Sequence, residues 1–488
     1  MLAARRFPSP NVALHAVRVP VIVLVADGAR PDAFEGASLD TLPALRRLRD
    51  EGALHRVASV FPSVTGPAYT PFLIGRFPGP IGVPGLRWYD RSRTACGWPD
   101  HARSYVGHQM RCFDDDLDPD APTIFELVPN SIAALSVVTR GLDPTRRIGA
   151  LTVRSALRAT VTHFHGRAER WLDVDRESGE AVARRMREER PDYVFAAFTG
   201  VDKASHAREH TDTLVLDAMR IVDETAARLR DDAERGGWWE DTHLWIVSDH
   251  GHSPVHTHED LAGVVRDLGH RTVAHPWSAG IAPDAAVMVS GNAMAHLYLD
   301  LERRARPWWG ALAARYEPTA SALLERDSVD LLLLPHDEGR CEVRSRTRGS
   351  AFVTCEGDIY RYRRLDGDPL GVGADVEAGA DGAYDATCDG DYPDAIVQIA
   401  TLAGSPRAGD VILSAAPGWD FRARYEPIPH RSAHGALHRD HVMVPLLTNR
   451  PLARRPRRTT ELFASALDAL GVEAPAQLDG TSFLGPDA

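Results

Sequence analysis

The chain has 488 residues, of which 44% are hydrophobic and 25% charged, and these fractions are ordinary for a globular protein. Asp and Glu number 68 against 56 Lys and Arg, so the formal net charge of -12 argues against general binding to nucleic acid polymers or to an anionic membrane surface. The five cysteines are widely spaced without a C-x-x-C pair, which excludes a disulfide framework and a zinc knuckle. The carboxylates and the 21 histidines supply many potential ligands for divalent metals.

The first apolar run, Val19 to Ala26, is rich in β-branched residues, as is typical of a strand buried on both faces of a parallel sheet. It ends at Asp27 without a small-residue cleavage site, and no run in the chain approaches the ~20 apolar residues of a membrane span. We therefore expect a cytoplasmic protein without a transmembrane helix. The next segment, 39–52, reads as a helix that Gly52 closes, which completes a βα unit.

The alternation of strand and helix then repeats. Helical patterns cover 177–192 and 213–237, and strand patterns cover 193–200 and 242–252. This order predicts an α/β fold with a central, mostly parallel sheet and helices on both faces. Ligands of such sheets bind at the carboxyl ends of the strands, which here carry the sequences ADGARPD, FTGVDKASH and VSDHGHS.

The character of the sequence changes after residue 281. Short β-rich pieces predict a smaller inserted α+β subdomain over 282–393, between a first core segment, 15–281, and a C-terminal core segment, 394–488. The Gly- and Asp-rich stretch 367–394 lacks the ligand order of an EF-hand, so we expect a solvated linker. Beyond it, 410–421 and 442–449 read as strands that return to the main sheet, and 458–472 reads as a final helix.

Three of the strand ends carry residues that suit metal ligands. Asp27 follows the first strand, and Asp202 and His206 are four residues apart, so that a helical turn would place them on one face. On an ordinary surface helix such a pair is an ion pair, but here it directly follows a buried strand. Asp249 and His250 are adjacent, and both can reach one ion only if the chain bends where the strand ends.

Further histidines follow in two groups. His252, His256 and His258 could contact the substrate or the ligands, although single histidines are more often structural. The last group consists of His430, His434, His438 and His441. Their spacings of four, four and three would fit one face of a helix, but helix-breaking residues interrupt this segment. A mixed set of Asp and His favours two zinc-like ions over calcium, and two such ions ~3.5–4 Å apart can clamp a phosphoryl displacement.

Five motifs in this order resemble the alkaline phosphatase superfamily and, within it, the type I phosphodiesterase and nucleotide pyrophosphatase family. They are VADGARPD, FPSVTGPAYTPFLIGRFP, DKASH, SDHGHS and SAHGALHRDHVMVPLL, and they frame the chain from Val19 to Leu447. The resemblance implies that Thr65 is the nucleophile. It also implies two divalent metal ions, zinc with manganese as the alternative, one held by Asp27, Thr65, Asp249 and His250 and the other by Asp202, His206 and His434, with His438 as the fallback for His434.

On this resemblance we expect hydrolysis of small-molecule phosphate esters, phosphodiesters first, through a phosphothreonine intermediate. A phosphate monoesterase or phosphonate ester hydrolase of the same superfamily, a phosphomutase and a non-catalytic metal-binding protein are the alternatives. The family's phosphate-contacting Asn is absent here, since Leu86 stands at the corresponding place, and we predict that Arg87 and His252 bind substrate instead. The TGPAY segment lacks the arginine that a sulfatase needs. No pattern in the sequence specifies an oligomeric state.

Overall fold

The computed structural model describes residues 19–92, 101–149, 167–275, 282–422 and 430–485. The expectation that the chain carries no signal peptide rests partly on residues 1–18, which lie outside these ranges, as does Cys96. Within the described ranges, no helix has the length and apolar character needed to cross a membrane.

The described residues form twenty-one strands. In chain order they are β1 (Val21–Ala26), β2 (Ala53–Ala58), β3 (Arg87–Tyr89), β4 (Ala102–Ser104), β5 (Ser131–Ala134), β6 (Arg147–Ile148), β7 (Tyr193–Phe198), β8 (His243–Val247), β9 (Ser253–His258), β10 (Thr272–Ala274), β11 (Ala285–Ser290), β12 (Met294–Leu299), β13 (Val329–Asp337), β14 (Arg340–Ser345), β15 (Gly349–Glu356), β16 (Ile359–Gly367), β17 (Val376–Ala378), β18 (Val411–Ala415), β19 (Gly418–Asp420), β20 (Ser432–Ala433) and β21 (Met443–Thr448).

The α-helices of the same ranges vary from one turn to more than six. They are α1 (Gly36–Asp40), α2 (Pro43–Glu51), α3 (Thr70–Leu73), α4 (Phe113–Asp116), α5 (Ile124–Leu127), α6 (Glu169–Glu189), α7 (Gly200–Arg208), α8 (Thr213–Gly236), α9 (Leu261–Asp267), α10 (Trp309–Leu324), α11 (Ala380–Asp385), α12 (Ala395–Ala403), α13 (Arg439–Val442) and α14 (Glu461–Leu470).

The main sheet has seven strands in the order β2-β21-β8-β1-β7-β5-β6. Strand β1 pairs in parallel with β7 and β8, and β5 pairs in parallel with β6 and β7. Only β21 runs the other way within this sheet, because it pairs antiparallel with both β8 and β2. The predicted α/β fold with a central, mostly parallel sheet is confirmed.

Alternate residues of β1 enter two separate apolar cores. Val21, Val23 and Val25 face one core, which includes side chains of α3 and α14. The intervening residues of β1 face the other core, which the long helices α6 and α8 cover together with α2. Since every residue of β1 is buried, the continuous apolar run in the sequence has its physical explanation in these two covered faces.

A second sheet of nine strands has the order β10-β11-β12-β18-β13-β14-β15-β16-β17. It is antiparallel throughout except for the pair of β10 and β11. Helix α12 packs against one face of it and α10 against the other. This sheet begins before residue 282 and ends after residue 393, and the domain boundaries given above stay a prediction.

Two expectations for this part of the chain are wrong. The strand within 410–421 joins the second sheet as β18, between β12 and β13, and only 443–448 returns to the main sheet, as β21. The acidic stretch 367–394 is not a solvated linker. It contains β17 and α11, and Tyr384 and Tyr392 within it are buried in the core under α12, because their apolar rings outweigh the polarity of the surrounding residues.

Candidate active site

The candidate site lies at one edge of the main sheet, where the parallel strands end. Strands β1, β7 and β8 end directly before Asp27, the helix that carries Asp202, and the turn that carries Asp249. Because β21 is antiparallel, its amino end lies at this same edge, and the residues that precede it, including His434, reach the site. The reversed strand therefore explains why this histidine comes before its strand in sequence whereas the aspartates come after theirs.

Thr65 reaches the site from the loop that follows β2. In the described segment 61–75 it is the one residue that is not fully buried. Its Oγ1 lies 3.1 Å from Asp27 Oδ1 and 3.1 Å from His250 Nε2. Four residues on, the hydroxyl of Tyr69 donates a hydrogen bond of 3.0 Å to Asp27 Oδ2. The Asp27 carboxylate thus holds Thr65 with one oxygen and is itself held by Tyr69 through the other.

Gly28 permits the close approach of strand ends around Asp27. Its φ of 79° lies in the left-handed region, and a Cβ at this position would meet His252 Nε2 at 2.8 Å and Asp202 Cα at 3.2 Å. Its backbone N–H donates to Asp249 Oδ1 at 3.2 Å. A side chain here would separate groups that the site brings together.

A second group of ligand-type atoms surrounds one oxygen of Asp202. The Oδ1 atom lies 3.1 Å from His206 Nε2, 3.0 Å from His252 Nε2 and 3.5 Å from His434 Nε2. These four residues each offer one atom within 4.8 Å of the others, and so do Asp27, Asp202 and His250. Asp202 belongs to both groups, so the two clusters are neighbours.

The other ring nitrogens of three histidines contact backbone carbonyls. His206 Nδ1 lies 2.8 Å from Ser432 O, His434 Nδ1 lies 2.9 Å from Ser63 O, and His250 Nδ1 lies 3.1 Å from Gly251 O. A carbonyl only accepts, so these Nδ1 atoms carry the proton and donate, and Nε2 of a neutral ring is left with a lone pair. This is the arrangement that orients imidazoles as metal ligands.

The pKa values of the neutral imidazoles agree with that role. Burial lowers the pKa of His252 to about 3, and burial together with the charge of His250 lowers the pKa of His434 well below its usual value. For His250, burial also acts to lower the pKa, but Asp249 and Asp27 outweigh it and raise the pKa to about 9. The His250 ring therefore faces an excess of negative charge.

The carboxylates of the site are crowded. Burial and the charge of Asp27 raise the pKa of Asp249 well above its usual value, and among the described residues Asp249 Oδ2 has no hydrogen-bond partner. Burial also opposes ionisation of Asp202, but His206 and Lys203 outweigh it and hold the pKa of this carboxyl well below its usual range. An orphaned buried carboxylate oxygen beside inward-facing imidazole nitrogens suits divalent cations with mixed oxygen and nitrogen ligands.

The remaining predicted residues lie in different places. His438 precedes the short helix α13, and its ring lies tilted against that of His441 at 4.0 Å between ring centroids, outside both ligand groups. Arg87 is buried on β3, where its guanidinium lies 3.4 Å from Val289 O. His252 is fully buried, and its Nδ1 lies 3.0 Å from Ser432 Oγ. Their roles in metal or substrate binding stay predictions.

Sequence reasoning missed three residues of this region. Tyr69 orients Asp27, as described above, and it stands four residues after Thr65 in the PAY segment. Asp175, on α6, accepts backbone hydrogen bonds from Thr199 at 3.0 Å and Gly200 at 2.7 Å, and so it holds the start of the helix that carries Asp202. Lys203 Nζ lies 2.7 Å from Asp202 Oδ2. The sequence pointed to Lys203 only through its position directly after the predicted ligand Asp202.

Comparisons with known proteins identify the family of the chain and proteins that share its fold. The family model described as type I phosphodiesterase/nucleotide pyrophosphatase matches residues 21–321, more than half of the chain. A search of curated proteins finds no match.

Among solved structures, phosphonoacetate hydrolase from Sinorhizobium meliloti 1021, in complex with phosphonoformate or phosphonoacetate, has a TM-score of 0.57 and 16% identity over 93% of this chain and 96% of that chain. Human ectonucleotide pyrophosphatase/phosphodiesterase 5 has a TM-score of 0.56 and 12% identity over 95% of this chain and 97% of that chain. At these identities the likeness shows a shared fold.

Proposed function

Because the chain belongs to the type I phosphodiesterase and nucleotide pyrophosphatase family, and is thus a phosphoric ester hydrolase of the alkaline phosphatase superfamily, we propose that it cleaves phosphodiesters at a two-metal site with Thr65 as nucleophile. One observation carries the proposal. Thr65 is the partly exposed residue of an otherwise buried loop, and its hydroxyl oxygen lies 3.1 Å from both Asp27 Oδ1 and His250 Nε2. The hydroxyl is thus surrounded by candidate metal ligands.

The donor set supports two divalent ions, zinc first and manganese as the alternative. We assign Asp27, Thr65, Asp249 and His250 to one ion, and Asp202, His206 and His434 to the other. His252 Nε2 is as close to Asp202 Oδ1 as His206 Nε2 is, so His252 is a candidate fourth ligand of the second ion. Divalent ions held there supply Lewis acidity that polarises a phosphoryl oxygen and lowers the pKa of a hydroxyl.

The chain's own residues perform the displacement in two halves. Thr65 Oγ1 forms a bond to phosphorus while the bond from phosphorus to the leaving ester oxygen breaks, and a phosphothreonine diester results. Asp27 Oδ1 accepts the hydrogen bond of the Thr65 hydroxyl and so lies where its proton departs. Tyr69 keeps the Asp27 carboxylate in place throughout. Water then cleaves the bond from Thr65 to phosphorus and releases a phosphomonoester.

Two alternatives within the superfamily use the same residues. A phosphate monoesterase would release inorganic phosphate, and a phosphonate ester hydrolase would act on an ester of a phosphonic acid. The likeness to the fold of phosphonoacetate hydrolase keeps phosphonates among the substrates to be tested. A phosphomutase would instead move phosphate within one molecule with little net release.

The test compares kcat/KM for matched aryl phosphate monoesters, phosphodiesters, phosphonate esters and sulfate esters on enzyme whose metal content has been measured. We expect the diester to be the best substrate and the sulfate ester the worst. Thr65→Ala should lower kcat by about 10³-fold or more, because the covalent route is lost, and Thr65→Ser is the matched control that retains a hydroxyl.

Acid quenching during turnover, followed by peptide mass spectrometry, should find the substrate's phosphoryl group on Thr65. Full activity of the Thr65→Ala variant would overturn the nucleophile assignment. A monoester preference would replace the diesterase proposal with the first alternative.

A further inference from the structure

Lys203 is the only lysine in the sequence. Lysine and arginine together number 56, so every other side chain of this kind is an arginine. The single exception stands next to Asp202, on the helix that forms one side of the candidate site. A chain that uses arginine at all other such positions carries its one lysine ammonium group beside Asp202, the residue that the two ligand groups share.

The contacts of Asp202 divide its carboxylate between two functions. Oδ1 faces the Nε2 atoms of three histidines, and Oδ2 accepts a hydrogen bond of 2.7 Å from Lys203 Nζ. The Asp202 side chain is only 1% exposed, whereas the Lys203 side chain is 33% exposed. Lys203 therefore contacts a buried ligand-type carboxylate while part of its own side chain stays exposed.

The ammonium group of Lys203 has donors to spare. It carries three N–H bonds, and in the part of the chain that the structure describes Asp202 Oδ2 is its one hydrogen-bond partner. Two of its N–H bonds are therefore left for other acceptors, on a group that already contacts a carboxylate of the site.

We propose that Lys203 contacts the substrate: its ammonium group holds Asp202 through Oδ2 and donates a second hydrogen bond to a non-bridging oxygen of the bound phosphate or phosphonate ester. The proposal rests on the proposed function and deepens it, because it adds a substrate-binding residue to the same site. Inorganic phosphate, the simplest anion with such oxygens, should bind at the same place.

The geometry also explains why lysine stands here. An ammonium is compact and can direct its three donors to separate acceptors, whereas a guanidinium is a planar fork that suits one carboxylate or phosphate bidentately. Beside an aspartate that already faces three imidazoles, the smaller group leaves room for a substrate oxygen. Arginine at position 203 would carry the same charge, but its planar guanidinium would not direct separate donors to Asp202 and to a substrate oxygen.

The first experiment measures the affinity of the metal-loaded enzyme for inorganic phosphate, as a competitive inhibitor and by calorimetry. We expect Lys203→Gln to weaken phosphate binding roughly ten- to a hundredfold, the effect of losing one charge-assisted hydrogen bond, with the metal content unchanged. Lys203→Arg should recover only part of the loss. Arg208→Gln is the matched control, because Arg208 is an exposed cation of the same helix that pairs with Glu169 at 3.6 Å.

Two results of this experiment would overturn the proposal. One is an unchanged phosphate affinity in Lys203→Gln. The other is a loss of bound metal that accounts for the whole loss of affinity, which would make Lys203 a support for Asp202 alone.

The second experiment needs no variant. A small acetylating reagent modifies primary amines, so in this chain it has two targets, Lys203 and the α-amino group, and the latter serves as an internal reference for peptide mass spectrometry. Phosphate should slow acetylation of Lys203 at least fivefold relative to the reference. The reagent reacts with the neutral amine, so the rates are compared at a pH high enough for Lys203 to react in the absence of phosphate. Equal rates with and without phosphate contradict the proposal.

The phosphodiesterase proposal and the Lys203 proposal can be disproved independently of each other. If Thr65→Ala abolishes turnover but phosphate leaves Lys203 unprotected, the phosphodiesterase proposal stands and the role of Lys203 is wrong. If no ester is hydrolysed but phosphate still protects Lys203, the anion site is real and the reaction is wrong.

Discussion

Two regions of the molecule bury charge in opposite ways. Beside the second sheet, the buried carboxylate of Asp410 accepts hydrogen bonds from the Arg91 guanidinium and, at 2.7 Å, from the Leu299 backbone N–H, and Arg306 also acts on its charge. At the edge of the main sheet, Asp27, Asp202 and Asp249 lie together, and the Lys203 ammonium contacts one of them, Asp202. In the first cluster two guanidinium groups surround one carboxylate, whereas the second cluster has an excess of negative charge.

This difference distinguishes buried charges that stabilise the fold from buried charges that belong to the candidate site. A buried ion pair with its own partners is complete, although removing one partner is costly. Asp410 Oδ1, like Asp249 Oδ2, has no hydrogen-bond partner among the described residues, so the difference lies in the balance of charge. Several buried carboxylates beside inward-facing imidazoles are balanced only with additional cations. The following substitutions test whether the two clusters differ in this way.

The largest contrast should come from the same substitution in both regions. Asp202→Asn should lower kcat/KM by about 10²-fold or more and reduce bound metal, because it weakens a ligand, while the fold persists. Asp410→Asn should lower the free energy of unfolding by about 3 kcal/mol, because it leaves buried guanidinium groups without their carboxylate, and should leave the activity of the folded fraction unchanged. Urea unfolding and specific activity of both variants measure this. Equal losses of stability in the two would break the comparison.

Asp175 gives a pH-dependent test, since it is a buried carboxyl held by backbone N–H groups rather than by a cation. Burial raises its pKa to about 8 in the folded protein, whereas the unfolded chain releases this proton near pH ~4. Between these values the folded state holds a proton that the unfolded state has lost, so stability falls as the pH rises.

Relative to Asp175→Asn, the wild type should therefore lose stability by up to about 1.4 kcal/mol per pH unit across this window and then level off. Thermal melts from pH 4 to pH 9 measure the effect, with Asp217→Asn, at an exposed helix position, as the control. Parallel profiles for the wild type and Asp175→Asn would contradict the prediction.

The smallest expected effect is an increase in the free energy of unfolding. In metal-free protein, Asp249→Asn removes one of the crowded negative charges and should raise the free energy of unfolding by about 1–2 kcal/mol, as relief of a strained functional site does. In the presence of zinc or manganese the order should reverse, since the metals stabilise the wild type by binding its folded state. Melting curves with and without a chelator show both effects. A destabilised metal-free variant would mean that Asp249 is a structural carboxylate like Asp410.

The α/β class and the mostly parallel character of the main sheet could be predicted because their signals are local. Val19 to Ala26 is apolar at every position and a helix follows it, and this pattern repeats along the first half of the chain. The partner of a strand is not a local property. The 411–415 strand and the 443–448 strand are both short and apolar, and only long-range pairing decides that the first joins the second sheet.

The candidate site shows the same limit at the level of side chains. Asp27, Asp202 and Asp249 could be picked out because each follows a buried strand. The contacts of Tyr69, Asp175 and Lys203 could not, because a hydroxyl, a carboxylate or an ammonium inside a helix or short turn gives no sign of what it will face. The grouping of His252 with Asp202 depends in addition on the turn at Gly251, whose path only the assembled sheet edge defines.

The reversed strand β21 also has a consequence for how the protein is made. Strand β2, which leads to Thr65, is the edge strand of its sheet and is joined to it through β21, and the contact between Ala53 and Thr448 spans 395 residues of chain. The residue before β21 that completes the histidine cluster, His434, arrives equally late. During synthesis, the strand that leads to the proposed nucleophile must wait for almost all of the described chain before it can pair with β21, so we expect a product truncated before β21 to be inert.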